Sequence, residues 1–204
     1  MQKLIVTILS LLILWTGVGN AETRTAENFN AVTINGPYTV KITVGEPASI
    51  TLTSKDDTSK VITEVKDHTL SIRSQDSANT NKNILITVTL PELHSLNLAG
   101  DSKVSITGLH GSQFALTANG NAQAELAGII NNFNLELSGN TNIDGKKLTA
   151  KVIELNANGA TQVSVHTNNE LHIKANGDAI VKVYGTPRVV TTSMIGNSKL
   201  QMAK

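Results

Sequence analysis

The chain alternates short apolar and polar positions around regularly spaced glycines. Gly100, Gly120, Gly139, Gly159, Gly177 and Gly196 follow one another at intervals of 20, 19, 20, 18 and 19 residues. Apolar residues recur two and four positions before most of these glycines and four and six positions after them. Such alternation is typical of β-strands with one buried face. The pattern therefore predicts a unit of two short strands joined at a glycine turn, repeated six times.

Two architectures fit this repeat: an antiparallel meander or propeller of hairpins, and a parallel β-helix in which each unit is one rung. A period near 19 residues is short for a propeller blade of about 40–45 residues. Equivalent positions keep their residue type from unit to unit, as side-chain ladders about 4.8 Å apart require. We therefore expect an all-β fold, a right-handed parallel β-helix-like solenoid with rungs of about 19 residues and an N-terminal β cap.

The residues at the turns support this interpretation. Gly and Asn tolerate positive φ at sharp corners, and Asn or Asp side chains bind nearby backbone groups. The predicted turn glycines are Gly36, Gly100, Gly120, Gly139, Gly159, Gly177 and Gly196, and the turn Asn/Asp line is Asp101, Asn121, Asn140, Asp178 and Asn197. A calcium or glycan strip is the alternative for this line, but the nonapeptide period of calcium-binding rolls is absent. We expect both sets to be structural.

The sequence predicts one continuous domain after a targeting segment. Residues 1–21 read as a signal peptide, with Lys3, an apolar run shorter than the ~20 residues of a membrane span, and small residues at Gly19 and Ala21. Residues 22–93 are the predicted N-terminal cap region, including a hairpin in which Val61, Thr63 and Val65 lead through Lys66-Asp67-His68 into Leu70 and Ile72. Residues 94–204 hold the repeats. No helix follows the last unit, so its free edge favours a homo-oligomer.

The amino-acid composition excludes several classes of function. The chain is 40% apolar but only 3% aromatic, has no Cys and carries a net charge of +1. The absence of Cys excludes a disulfide framework and a cysteine nucleophile. The chain also lacks the excess of basic residues that is typical of nucleic-acid-binding proteins. A narrow interior of Leu, Ile, Val and Ala accounts for the low aromatic content.

No catalytic, cofactor-binding or metal-binding residue is predicted. The five His have no zinc-ligand spacing. Among the acidic residues, Asp101 and Asp178 lie four rungs apart, and Glu125, Glu136, Asp144 and Glu154 are expected in different columns. A carboxylate pair of the kind that cleaves glycans is therefore not expected. Tyr38 and Tyr184 are candidates for exposed binding aromatics, with packing inside loops as the alternative.

Several segments together carry a family likeness. They are Phe29-Asn30-Ala31-Val32, Asn35-Gly36-Pro37-Tyr38-Thr39-Val40, Leu90-Pro91-Glu92-Leu93, the serial glycine turns, and Val183-Tyr184-Gly185-Thr186-Pro187. In their order and spacing the chain resembles the head GIN domain family of bacterial cell-envelope proteins, labelled auto-transporter adhesins, over about residues 29–203. The resemblance implies a mostly-β, β-helix-like fold exported across the inner membrane, with no catalytic residues to transfer.

These observations lead to one expectation for function and one alternative. We expect an exported, non-enzymatic protein of the periplasm or cell surface of a Gram-negative bacterium, serving as a structural or adhesin-like binding module. The alternative is a carbohydrate-binding or carbohydrate-cleaving β-helix protein. A glycan or an envelope protein is the expected partner, with no nucleic acid, no cofactor and no membrane span in the mature chain.

Overall fold

The protein is a β-solenoid. A computed structural model describes residues 20–203 except 25, 56 and 76–83, and these residues contain no helix. Stacked coils form about five turns at a spacing near 20 residues, which confirms the predicted fold class. The strands are β1 (Asn20–Arg24), β2 (Ala31–Asn35), β3 (Thr39–Val44), β4 (Ser49–Ser54), β5 (Val61–Lys66), β6 (Thr69–Ser74), β7 (Leu85–Leu90), β8 (Ser95–Ala99), β9 (Lys103–Gly120), β10 (Gln123–Gly139), β11 (Asn142–Gly159), β12 (Gln162–Gly177), β13 (Ile180–Tyr184), β14 (Val189–Gly196) and β15 (Lys199–Met202).

Each coil has two long sides that meet at the glycine corner. Side A holds the strands that follow the corner, namely β3, β7, β13, β15 and the opening segments of β9 to β12. Side B holds the strands that precede it, namely β2, β6, β8, β14 and the closing segments of β9 to β12. The long strands bend between the two sides, where the pairing registers shift. Both sides are continuous sheets along the solenoid axis.

Parallel stacking in register gives the molecule its core. Leu135 on side B is fully buried and pairs with Leu116 of the preceding coil and Leu155 of the following one. Because side chains alternate between the faces of a strand, its neighbours on the chain point outward. Phe114 and Phe133 add a stacked aromatic pair, with ring centroids 5.7 Å apart. The interior is otherwise a set of aliphatic columns, as the composition indicates.

The N-terminal end has a less regular topology than the repeats. β2 lies between β6 and β8, and β3 lies between β7 and β9, with parallel pairing on both sides. The first coil in chain order is therefore inserted between two coils formed later in the sequence. Parallel stacking extends into the residues predicted as a cap, and the boundary at residue 93 stays a prediction.

Antiparallel strands cover this end. β4 and then β1 extend side A beyond β7, and β5 extends side B beyond β6. The predicted hairpin between β5 and β6 is confirmed, and it turns at Asp67 and His68 with φ values of 49° and 59°. Two successive residues of positive φ are typical of the tight turns whose twist matches paired strands.

Arg24 closes the N-terminal end by joining its two edge strands. From β1 its Nη1 donates to the carbonyl oxygen of Val61 at 2.6 Å and to Oγ1 of Thr63 at 3.1 Å, both in β5. Its Nε also donates to Glu22 at 2.9 Å. Hydrogen bonds from Arg24 and Thr58 lower the pKa of the Glu22 carboxyl below its usual value. Side A therefore ends here on the polar strand β1, and Arg24 bonds it to β5 at the end of side B.

The predicted signal peptide falls mainly on residues 1–19, which lie outside the described residues. Asn20 and Ala21, its last two residues, begin β1. Cleavage after Ala21, which stays a prediction, would leave Arg24 in place. Among the described residues, none forms a helix with the length and hydropathy needed to cross a membrane.

The last described coil lies at the C-terminal end. Within the described part of the chain, β14 pairs with β12 alone and β15 pairs with β13 alone. Val190, Met194, Leu200 and Met202 stack in register on Leu171, Ala175, Val181 and Val183, all of which are buried. They are therefore the last inward-facing residues of the core, and no further coil covers them among the described residues. Val190 is 44% exposed and Met202 is 55% exposed.

An acidic residue at an inward position tests the register of the coils. We expect Leu135→Asp to prevent stable folding, because it loses about 1.5–3 kcal/mol of apolar burial and places an unpaired charge in the core. Ser138→Asp is the control, since Ser138 is exposed on the same strand between Asn119 and Asn158. Thermal unfolding followed by circular dichroism measures both. Equal melting temperatures for the two variants would contradict this register.

A second pair of variants tests the packing of the glycine corner. At Gly159, with φ of 102°, an added Cβ would lie 2.8 Å from the Gly139 carbonyl oxygen. At Gly100, with φ of 84°, the nearest atom would lie 3.7 Å away. Both Ala variants pay about 1–2 kcal/mol for the left-handed backbone. We expect Gly159→Ala to lower the melting temperature further, because a backbone carbonyl must also move; equal shifts would contradict close stacking.

Candidate functional site: a polar groove on side A

The outer surface of side A carries a groove with a volume of about 420 Å³. Its floor includes the sheet at Val104, Ala124 and Val163, whose side chains point into the core. The outward side chains that line it are Lys103, Gln123, Glu125, Asn142, Asp144, Gln162, Ser164, Ile180, Lys182 and Gln201. These residues come from six strands, so at about 4.8 Å per strand the groove extends for about 24 Å.

The lining residues form two rows that run along the solenoid axis. In one row Gln123, Asn142 and Gln162 occupy matching positions on three successive coils. This row presents a repeated amide, which has both donors and acceptors of hydrogen bonds. Lys103 and Ile180 continue it at its two ends. Because the coils stack in register, residues that recur at equal positions in the sequence repeat lie next to one another on the surface.

The second row is charged. Glu125 of β10 pairs in register with Asp144 of β11, so two carboxylates lie on neighbouring strands. Asp144 is followed by Ser164, Lys182 and Gln201. The expectation that Glu125 and Asp144 fall in different columns is therefore wrong. Each lies five residues after a turn glycine, and the parallel stack brings equal offsets side by side.

The groove lining is suited to a hydroxyl-rich ligand. Amides and carboxylates bind hydroxyl groups directly, and Lys103 and Lys182 add ammonium donors toward the two ends. None of the residues that line it is aromatic. Its hydrogen-bonding groups repeat at the strand spacing along the solenoid axis.

A second concavity of about 430 Å³ lies on side B, and it is shallower. Glu136, Asn156, Asn158 and Lys174 are among its lining residues. Nδ2 of Asn156 donates to Oε1 of Glu136 at 2.6 Å, so these side chains already satisfy each other across coils. The more enclosed groove on side A is the stronger candidate.

The turn glycines stand in a column at one corner of the coils. Gly36, Gly100, Gly120, Gly139, Gly159, Gly177 and Gly196 all have positive φ. From Gly120 onward, an added Cβ would lie within 3.3 Å of the backbone of the preceding glycine. These residues shape the corner and contribute no functional side chain.

The predicted Asn/Asp line forms two hydrogen-bonded ladders on the surface. Nδ2 of Asn121 donates to Asp101 Oδ1 at 2.8 Å, and Nδ2 of Asn140 donates to Asn121 Oδ1 at 3.4 Å. Nδ2 of Asn197 donates to Asp178 Oδ1 at 2.9 Å. Ala160 separates the two ladders. The side chains bind each other along the axis, which is the arrangement expected of a structural corner.

The remaining candidates do not converge. Among the described residues no group of three His, Asp or Glu is placed to hold a metal ion. His94 and His172 each lie near a glutamate on the same segment, at 3.3 Å from Glu92 and 3.6 Å from Glu170.

Tyr38 is buried, and burial raises its pKa, so it packs inside the fold and is not an exposed binding aromatic. The Nζ of Lys146 lies 4.8 Å from the centroid of the half-buried Tyr184 ring.

Comparison with known sequences identifies one family. The sequence model of the family described as "Putative auto-transporter adhesin, head GIN domain" matches residues 28–187. This match confirms the resemblance given by the sequence motifs. A comparison with curated proteins finds no match.

Solved structures share the fold at low sequence identity. A putative adhesin from Bacteroides fragilis NCTC 9343 matches with a TM-score of 0.70 and 19% identity, covering 90% of this chain and 96% of that one. A putative adhesin from Parabacteroides distasonis ATCC 8503 matches with a TM-score of 0.71 and 15% identity, covering 90% and 96%. A putative lipid binding protein from the same strain matches with a TM-score of 0.55 and 16% identity, covering 91% and 98%. One fold thus carries different functional labels, and ligand class must be argued from the site.

Proposed function

Because the chain belongs to the head GIN domain family of putative auto-transporter adhesins, we propose that it is an exported, non-enzymatic adhesin-like module of the cell envelope that binds an extended glycan. The proposed site is the groove on side A. The proposed export rests on the signal pattern of residues 1–21, and the periplasm or cell surface of a Gram-negative bacterium is its proposed location.

The observation that supports a glycan is the pair of rows in the groove. Gln123, Asn142 and Gln162 repeat one hydrogen-bonding group along the axis, and the row of Glu125 and Asp144 runs beside them. A polymer of sugar units presents hydroxyl groups at regular intervals along an extended chain. The polar lining favours such a ligand over a lipid, whose acyl chains need apolar surface.

Removing amides from the groove tests this proposal. We expect the double variant Gln123→Ala and Gln162→Ala to weaken glycan binding by between about fivefold and about a hundredfold, since each lost hydrogen bond contributes about 0.5–1.5 kcal/mol. A glycan array identifies the ligand, and calorimetry with that glycan measures the change.

The matched control removes two amides from side B. Asn134 and Asn158 are exposed outward residues there, and the double variant Asn134→Ala and Asn158→Ala leaves the groove intact. It should bind like the parent protein. Equal losses in both double variants, or no glycan bound by the parent protein, would remove the groove as the site.

Glycan cleavage is the second candidate function, and the in-register carboxylates Glu125 and Asp144 are the observation that favours it. Glycoside hydrolysis uses two carboxyl groups that flank the scissile bond. The proposed binding function predicts no release of reducing ends from any glycan that the array identifies. Release that is abolished by Glu125→Gln or Asp144→Asn would replace binding with hydrolysis as the function.

A further inference from the structure

The last described coil presents an apolar surface together with strand edges that no other described strand pairs with. Val190, Met194, Leu200 and Met202 are the uncovered ends of core columns, and Val189 and Ile195 on the outer face are 45% and 64% exposed. Of the large apolar side chains that are exposed in the described part of the chain, only Ile129 lies outside this last coil. The outer edges of β14 and β15 also carry backbone N–H and C=O groups that pair with no other described strand.

The order of residues in β14 is self-complementary. From Val189 to Ile195 the strand reads two apolar residues, three hydroxyl residues and two apolar residues, with Thr192 at the centre. If two copies of this strand pair antiparallel about Thr192, Val189 lies opposite Ile195 of the partner subunit. Val190 then lies opposite Met194 of the partner subunit. Directly opposed residues share a face in an antiparallel pair, so inward residues meet inward ones and outward residues meet outward ones.

The second strand of the coil allows the same symmetry. If β15 pairs with its copy about Gln201, Leu200 lies opposite Met202 of the partner subunit, and both face inward. Thr192 lies four residues before Gly196 and Gln201 lies five residues after it, so the two centres are at similar distances from the corner. A single two-fold axis through Thr192 and Gln201 therefore suits both sides of the coil.

The opposite end of the molecule is not an equivalent partner. There, Arg24 joins β1 to β5 by binding Val61 and Thr63, and it also binds Glu22. Val65 of β5, which pairs with Leu70, is the partly buried apolar residue at this edge. A head-to-tail stack would place the apolar C-terminal coil against Glu22, Arg24 and Thr63, which pair with the buried residues Leu52, Ile50 and Ile72. A second copy of the C-terminal end offers both the apolar columns and the strand edges at the correct spacing.

We propose that two copies of this chain pair end to end through β14 and β15 about this two-fold axis, forming a dimer with one continuous core. The interface is isologous, because the same surface of each copy contributes to it. Gln201 also lines the groove on side A, so the axis joins the two grooves into one of twice the length. This joining rests on the proposed function, whereas the dimer itself does not.

Charge on the apolar edge tests the dimer. Sedimentation of the purified protein over a range of concentrations should show a reversible monomer–dimer equilibrium. We expect Ile195→Lys to raise the dissociation constant at least about a hundredfold, because the symmetry removes each apolar contact twice. Ile129→Lys is the control, since Ile129 is 72% exposed on another part of the coil. A parent protein that stays monomeric, or equal effects of the two variants, would overturn the proposal.

Disulfide trapping tests the position of the axis. The chain has no Cys, so one introduced Cys reports on one position. Opposed residues of antiparallel strands have Cα atoms about 4.5–5.5 Å apart, within disulfide range. We expect Gln201→Cys to give a covalent dimer under mild oxidation and Gln123→Cys, on the same side but far from the edge, to stay monomeric. Equal trapping at both positions, or none at Gln201, would overturn the proposed symmetry.

The two proposals fail separately. Loss of dimerisation in Ile195→Lys should leave binding of a short oligosaccharide unchanged and weaken binding of a long polymer, since two joined sites act with a high effective concentration. Equal binding of the long polymer by monomer and dimer would refute the joined groove while the dimer stands. A dimer that binds no glycan would refute the proposed function alone.

Discussion

The close approach of successive coils at the glycine corner sets the register of the whole solenoid. An added Cβ at Gly159 would lie 2.8 Å from the carbonyl oxygen of Gly139, so a side chain at this corner would push neighbouring coils apart. Once the corner is fixed, residues at equal offsets from it face each other on successive strands. The aliphatic core, the Asn/Asp ladders and the two rows of the groove all follow from this alignment.

Much of this order is readable from the chain because each coil repeats a local pattern. The glycine spacing predicts the solenoid, and the alternation around Leu135 predicts which face is buried. The pairing of Glu125 with Asp144 can also be predicted from the sequence, because each residue follows a turn glycine by five positions. The prediction requires that positions be counted from the glycine corner of each coil. The placement of β2 between β6 and β8 is different: its partners are distant in sequence, and no local pattern selects them. The concavity of side A likewise depends on the shape of the assembled sheet.

The two ends of the solenoid differ in physical character. At one end Arg24 of β1 donates hydrogen bonds to the carbonyl oxygens of Val61 in β5 and of Thr58 just before it, and so joins the two sides. At the other, core columns end on Met194, Leu200 and their neighbours with strand edges still free. A repeat protein needs terminal units that differ from its interior ones, because a uniform stack would continue to add units. Among the described strands, the N-terminal end has such a unit in the antiparallel strands β1, β4 and β5, whereas β14 and β15 repeat the parallel pairing of the interior coils.

The insertion of β2 and β3 between coils made from later residues affects how the molecule can be assembled in time. Ala31 pairs with both Thr69 and Ser95, and Thr39 with both Leu85 and Lys103. When the chain emerges N-terminus first, from a ribosome or a membrane channel, β3 stays without one of its two partner strands until residues beyond 100 have emerged. Closing such long loops is slow compared with adding a neighbouring coil. The repeats can stack as they emerge, and completing the first coil is the step expected to set the pace of folding.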